Sequence, residues 1–233
     1  MNDDRADAPA TRLVWDLPVR VTHWSLVACV AGSWATHYAG AGWFAWHQRC
    51  GQAVLVLASF RILWGFVGTR HARFASFLRG PHQVLDFLRR RGPEEGPGHN
   101  PLGALSVVAM LALLLLQAVS GLFANDEIAL SGPLYGWISQ ATSNRVTSLH
   151  HANADWLLVL LVLHVATVLW YALARRKPLV KAMITGRKPA SAVPPGEELA
   201  GSRLMLAAAI AAALTGLLAL AIRAAPQAVI SLY

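Results

Sequence analysis

The chain has 233 residues, of which 55% are hydrophobic and only 14% charged, with a mean hydropathy of +0.44. An average soluble domain carries roughly 25% charged residues, so the balance excludes a disordered chain and an ordinary soluble enzyme. The basic excess, 20 Lys and Arg against 12 Asp and Glu, would suit nucleic acid in a soluble protein, but the apolar excess makes a membrane the first partner to consider.

A helix that crosses the hydrocarbon needs about 20 mostly apolar residues, and five stretches meet that need: 19–39, 47–67, 103–124, 150–173 and 204–222. Before the first lies a tail, residues 1–18, with Asp3, Asp4, Asp7 and Pro9, unlike the basic start of a signal peptide. The connection after the second stretch mixes arginines with Phe74, Phe77, Val84, Leu85, Phe87 and Leu88, the composition of an amphipathic helix on anionic lipid. A Gly/Pro-rich run over 91–101 ends it. Residues 189–203, with Pro189, Pro194 and Pro195, read as a linker to a last stretch of nearly pure Ala and Leu. The expected fold class is an all-α integral membrane protein: the tail 1–18, a four-helix transmembrane domain over 19–188, the linker 189–203, and a fifth transmembrane helix with a short tail over 204–233. Cys29 and Cys50 lie in or beside apolar stretches and no CxxCH occurs, so both read as packing residues.

Orientation follows from the basic residues, which stay on the cytoplasmic side. Sixteen of the 20 fall in the tail, in the second connection and after the fourth helix. The N-terminus is then inside and the C-terminus outside, with connections 40–46 and 125–149 facing out. Trp15, Trp24, Trp43, Trp46, Trp64 and Trp137 fall near predicted helix ends and read as an aromatic belt.

Ionisable side chains at membrane depth are costly, so each is a functional candidate. His71, His82 and His99 sit in the basic connection and read as surface residues near head groups. The other six, His23, His37, His47, His150, His151 and His164, belong to or border the first, second and fourth helices. His150 and His164 are fourteen residues apart, about 1400° of helix, so both project from one face about 21 Å apart along the axis. His151 is rotated by roughly 140° from that face and is the poorer partner. Two bis-histidine centres on this face need partners opposite, and the orientation supplies His47 for His150 toward the outside and His23 for His164 toward the inside. His37 is also fourteen residues from His23 and is an alternative to His47. Arg61, fourteen after His47, shares its face; it reads either as the partner of a haem propionate or as a snorkelling side chain near a helix end.

Zinc and copper sites usually draw on Cys, Asp or Glu at close spacing, and the first four helices hold no buried carboxylate cluster. Bis-imidazole haem needs one ligand from each of two facing helices, with small residues such as Gly32, Gly51, Gly65, Gly121, Ala28, Ala53 and Ala166 to make room. Histidines that only hydrogen-bond across helices are the competing reading.

The runs LPVRVTHW (17–24), HQRCGQ (47–52), FRILWGFVGTRHARFASF (60–77), GHNPLG (98–103), LLLLQAVSGLFANDE (113–127), LHHANADWLLVLLVLH (149–164) and KAMITGRK (181–188), taken in order, resemble the bacterial cytochrome b561 family and the related b-type cytochrome subunits of nickel–iron hydrogenases. The resemblance covers residues 12–188. It implies a four-helix bundle with two non-covalent b haems in the bacterial inner membrane, passing electrons between the quinone pool and a redox partner such as a periplasmic cytochrome c or a dehydrogenase or hydrogenase subunit. It carries His23, His47, His150 and His164 over as axial iron ligands and gives His37 and His151 no role. Residues 189–233 extend beyond the short members' pattern and read as a docking surface, which leaves the oligomeric arrangement open. The sequence does not place a quinone site: Gln117, Ser120, His99 and Arg73 could contribute to one, but each reads equally as a helix cap or a head-group contact. Two other functions compete: a haem-carrying anchor without turnover of its own, and a histidine-relay metal or proton transporter, against which stands the lack of acids in the first three spans and of any but Asp155 in the fourth.

Overall fold

The chain enters through a short strand, β1 (Thr11–Leu13), and turns at Asp16 into the first long helix, α1 (Leu17–Tyr38). Two features start that helix: Pro18 in its first turn, and the Asp16 side chain, which accepts from Val19 N–H at 2.7 Å. The computed structural model describes residues 10–89, 98 and 100–226. A turn at Gly40, whose φ of 94° favours glycine, leads into α2 (Phe44–Val67), which returns beside α1. Two short helices follow, α3 (Phe74–Phe77) and α4 (Pro81–Leu88). Next come α5 (Pro101–Phe123), capped by Asn100, and α6 (Gln140–Leu173), capped by Ser139. The chain ends with α7 (Leu179–Thr185), the strand β2 (Arg187–Pro189) and α8 (Leu204–Ala224).

Helices α1, α2, α5 and α6 pack in that sequence, and α8 lies against α2 and the edge of α1, while α1 and α6 are not closely packed. The middle of the bundle is an apolar layer of Val54, Ala58, Leu111, Leu114, Ala118 and Leu157, flanked by Leu26, Val30 and Leu161. Among the described residues, four helical stretches are long and apolar enough to cross a membrane: residues 41–67, α5, α6 and α8. The first helix of the five-span expectation is present as α1 but is not among them; Arg20, Thr22, His23 and Ser25 crowd its first half with polar groups.

α6 differs most from expectation. It starts at Gln140 rather than near residue 150 because Ser139 caps a polar run that a search for apolar residues passes over. Its 34 residues span about 51 Å, against about 30 Å of hydrocarbon, so the polar first turns project beyond the apolar zone.

The chain also carries a β element within an all-α expectation. β1 pairs antiparallel with β2, Thr11 opposite Pro189 and Leu13 opposite Arg187. Around this clasp Arg20 Nη1 donates to the Ile184 carbonyl at 2.6 Å, Trp24 Nε1 to Met183 at 3.3 Å, and Leu199 N–H to Leu13 at 2.9 Å. Arg12 donates to the Val193 carbonyl, and Arg70 pairs with Glu197 at 3.0 Å. The stretch expected as a free linker is therefore packed down, and the described parts of the three basic connections gather at one end of the bundle. At the opposite end Gln48 Nε2 donates to the Ser131 carbonyl at 2.7 Å and ties α2 to the connection after α5.

This packing corrects three sequence expectations. Trp15 and Trp64 are buried core residues, not members of an aromatic belt. His71 is buried as well, its Nε2–H donating to the Glu197 carbonyl at 2.6 Å. The cause is shared: the second connection and the 189–203 segment fold over the ends of α1 and α2 and cover residues that would otherwise meet head groups.

Asp16, only 1% exposed, is the centre of that end. Besides capping α1 it accepts from Trp64 Nε1 at 2.9 Å and from the Thr69 hydroxyl. Asp16→Ala leaves three donors without their acceptor, and a lost cap plus buried unsatisfied donors cost about 3 kcal/mol. The expected outcome is a lower midpoint in a detergent thermal-unfolding assay, whereas Asp16→Asn, which keeps one acceptor oxygen, falls between the two.

Candidate functional site

His47 lies in the first turn of α2 and His150 in the third turn of α6, so the helix starts place both at the same end of the bundle. They line one cavity of about 550 Å³, together with His37 from the last turn of α1 and His151. That volume is within the range of ligand pockets. Its floor and walls include Val30, Val54, Leu114, Ala118 and Leu157 of the apolar layer. Small residues make the room: a Cβ on Gly51 would meet nothing within 4 Å, and one on Gly121 would come within 3.0 Å of His150 Cε1.

Hydrogen bonds define both imidazoles. His47 Nδ1 lies 2.9 Å from the Ser33 carbonyl, and a carbonyl only accepts, so Nδ1 carries the proton and Nε2 the lone pair. His150 Nδ1 lies 3.0 Å from the Gln117 carbonyl and 3.1 Å from Ser120 Oγ, which leaves its Nε2 lone pair facing the Gln117 side-chain amide at 3.1 Å. His37 is exposed, with its ring centroid 6.0 Å from that of His47. His151 is exposed too.

The second pair lies toward the clasped end. His23 of α1 and His164 of α6 are within electrostatic reach of each other across the loosely packed side of the bundle. His23 Nδ1 is buried and has no hydrogen-bond partner among the described residues. A buried polar atom without a partner is rare and calls for an explanation such as a ligand. Arg61 is near this end, 7% exposed, donating from Nη1 to the Ala72 carbonyl at 3.2 Å, with its guanidinium 5.6 Å from the Phe74 ring centre.

The donor set suits one kind of group. Among the described residues no three His, Cys, Asp or Glu side chains converge to hold a metal ion. Two facing imidazoles suit a metal that arrives inside a macrocycle supplying its other ligands, and the apolar cavity with its bare glycines suits the macrocycle. Of the polar residues that could contribute to a quinone site, Gln117 and Ser120 contact His150, Arg73 is exposed, and His99 lies outside the described residues. Asn153 went unremarked in the sequence. It is 4% exposed, and it donates to Gln117 Oε1 at 2.7 Å and to the Leu113 carbonyl at 3.0 Å. The only signal the sequence offers is its place three residues after His150, on the same side of the helix.

The family model described as prokaryotic cytochrome b561 matches residues 14–186. Among curated proteins the chain is similar to three named probable Ni/Fe-hydrogenase B-type cytochrome subunits. That of Rhizobium leguminosarum bv. viciae is 27% identical over 210 residues, covering 75% of this chain and 87% of the relative. That of Bradyrhizobium diazoefficiens is 26% identical, covering 79% and 89%, and that of Rhodobacter capsulatus 25% identical, covering 75% and 80%. No solved structure gives a significant match.

At the cavity mouth the exposed Asp126 carboxylate accepts from the N–H groups of Ile128, Ala129 and Leu130 at 2.8–3.0 Å. Desolvation, the largest single influence, opposes ionisation, but the backbone donors together outweigh it and hold the carboxyl below its ordinary value of 3.8. A lowered carboxyl stabilises the loop above the unfolded value and loses that contribution as pH falls through the lower folded one. Amide exchange at Ile128, Ala129 and Leu130 should stay protected at pH 5 and lose protection only below 3.8; in Asp126→Ala the protection is lower already at pH 5.

Proposed function

The chain belongs to the prokaryotic cytochrome b561 family, and from that premise we propose that it is a membrane di-haem b-type cytochrome passing electrons between the quinone pool and a redox partner. The observation that carries this reading is the pair of facing imidazole sites toward opposite ends of one bundle, separated by the apolar layer. His47 and His150 hold one haem and His23 and His164 the other, as bis-histidine iron ligands. Haem b supplies reversible one-electron transfer when bound.

The chain's own residues do the rest. The Ser33 and Gln117 carbonyls hold the Nδ1 protons of His47 and His150, which leaves Nε2 of each ring as the atom that would bind iron, the Gln117 side-chain amide giving up its bond to His150 Nε2. Val54, Leu111, Leu114 and Leu157 keep water out of the space between the two sites. Arg61, already desolvated at the clasped end, is the propionate partner there, and its positive charge favours the reduced state. Two imidazoles per iron leave no open coordination position, so the reading is electron transfer rather than oxygen chemistry.

In this reading residues 19–188 are the haem-binding domain, α1 is the first of five membrane spans, and α8, with residues 204–233, is the fifth. The clasped, basic end is cytoplasmic and the cavity end periplasmic, in a bacterial inner membrane. The relatives' names point to a hydrogenase subunit as the partner, docking at the outer, cavity end, with quinone as the other reactant and oligomerisation a matter for the assembled complex.

His150→Ala is expected to leave one haem per chain in a pyridine haemochrome assay, and His37→Ala to leave two. Two haems retained in His150→Ala would contradict the ligand assignment; one haem in His37→Ala would move the outer ligand from His47 to His37.

A further inference from the structure

Inside α6, one turn below His150, Asn153 is buried at a depth where an amide is costly unless paired. Both of its recorded bonds come from one nitrogen and reach α5: Nδ2 to the Leu113 carbonyl at 3.0 Å, and Nδ2 to Gln117 Oε1 at 2.7 Å. The second bond decides which way Gln117 points. With Oε1 accepting from Asn153, the Gln117 NH₂ is turned to His150 Nε2 at 3.1 Å. The main chain of the same Gln117 takes the His150 Nδ1 proton at 3.0 Å, and Ser120, 3% exposed, lies 3.1 Å from that nitrogen while its hydroxyl donates to the Gln117 carbonyl.

All of these contacts but the Ser120 hydroxyl bond, which lies within α5, join α5 to α6, and together they fix three quantities that a ligand ring needs fixed. The bond to the Leu113 carbonyl sets how far α6 slides along α5. The Nδ1–H bond to the Gln117 carbonyl sets tautomer and ring plane. The Gln117 amide pairs the Nε2 lone pair while nothing else does, so that the ring need not turn away to find a donor. Gly121 closes the description: its bare Cα lies where a Cβ would approach His150 Cε1 within 3.0 Å, so the ring seats directly on the α5 backbone.

We propose that Asn153 and Gln117 are positioning residues for the outer haem, acting through His150. The proposal rests on the reading of His150 as an axial ligand. A ligand imidazole whose Nδ1–H is held by a carbonyl is more electron-donating, which favours the oxidised metal. Loosening that bond therefore raises the midpoint potential of the haem it serves.

The test is a redox titration of the purified full-length protein, with haem content and low-temperature electron paramagnetic resonance of the oxidised form. Asn153→Leu keeps the volume and removes the donors. The expected result is two haems, one with a raised midpoint and a changed largest g value, the other as in the parent protein; loss of the outer haem alone supports the proposal equally. Asn153→Gln, which retains an amide, is expected to recover part of the shift. If Asn153→Leu fails to fold, Gln117→Leu decides by the same readouts. Two haems with potentials and g values unchanged overturn the positioning role. That outcome is distinct from failure of the ligand reading, which shows as two haems retained in His150→Ala.

Discussion

One buried carboxylate organises the clasped end. Asp16 caps α1, binds Trp64 near the end of α2 and binds Thr69 in the connection beyond it, so it fixes the angle and depth at which α1 meets α2. His23 lies two turns above that cap and Arg61 one turn before Trp64 on α2. Arg61 is itself within electrostatic reach of Asp16. The placement of the inner histidine and of the buried guanidinium thus depends on a residue with no ligand role. Three neutral or backbone donors around one carboxylate are what makes its burial tolerable.

The opposite end is built differently because its task differs. There the polar starts of α2 and α6 surround a cavity, and hydrogen bonds from ring nitrogens to main-chain carbonyls orient the histidines. Between the ends the apolar layer separates the two sites. α1 and α6 pack only loosely against each other on the side that carries His23 and His164, which is where a flat apolar group would lie. The extra helix α8 packs on α2 and α1, and its last turn, at Ile222, reaches Gln48, Gly132 and Pro133 at the edge of the cavity.

Much of this was legible in the sequence. The long helices begin or end within three residues of the expected bounds except at the start of α6. The fourteen-residue spacing of His150 and His164 falls within the single helix α6, and the described basic connections lie at one end of the bundle. What was missed has a common physical cause. Trp15, Trp64 and His71 were judged by distance from helix ends, but their burial comes from the β1–β2 clasp and the packed 189–203 segment, contacts between residues more than 100 positions apart. Polar helical turns at Gln140–Leu149 carry no apolar period to detect. Asn153 and Asp16 were single polar residues whose meaning lies in partners on another helix. Arg61 was read from its face alone, and the carbonyl and ring it touches belong to a connection that folds back over it.

The central claim, two haems held by paired histidines in one chain, is tested most directly by the stoichiometry of haem to protein in the purified, unmodified chain. Quantitative amino-acid analysis combined with a pyridine haemochrome spectrum should give two haems per chain, both low-spin and both reducible. One haem per chain, or none, would contradict it.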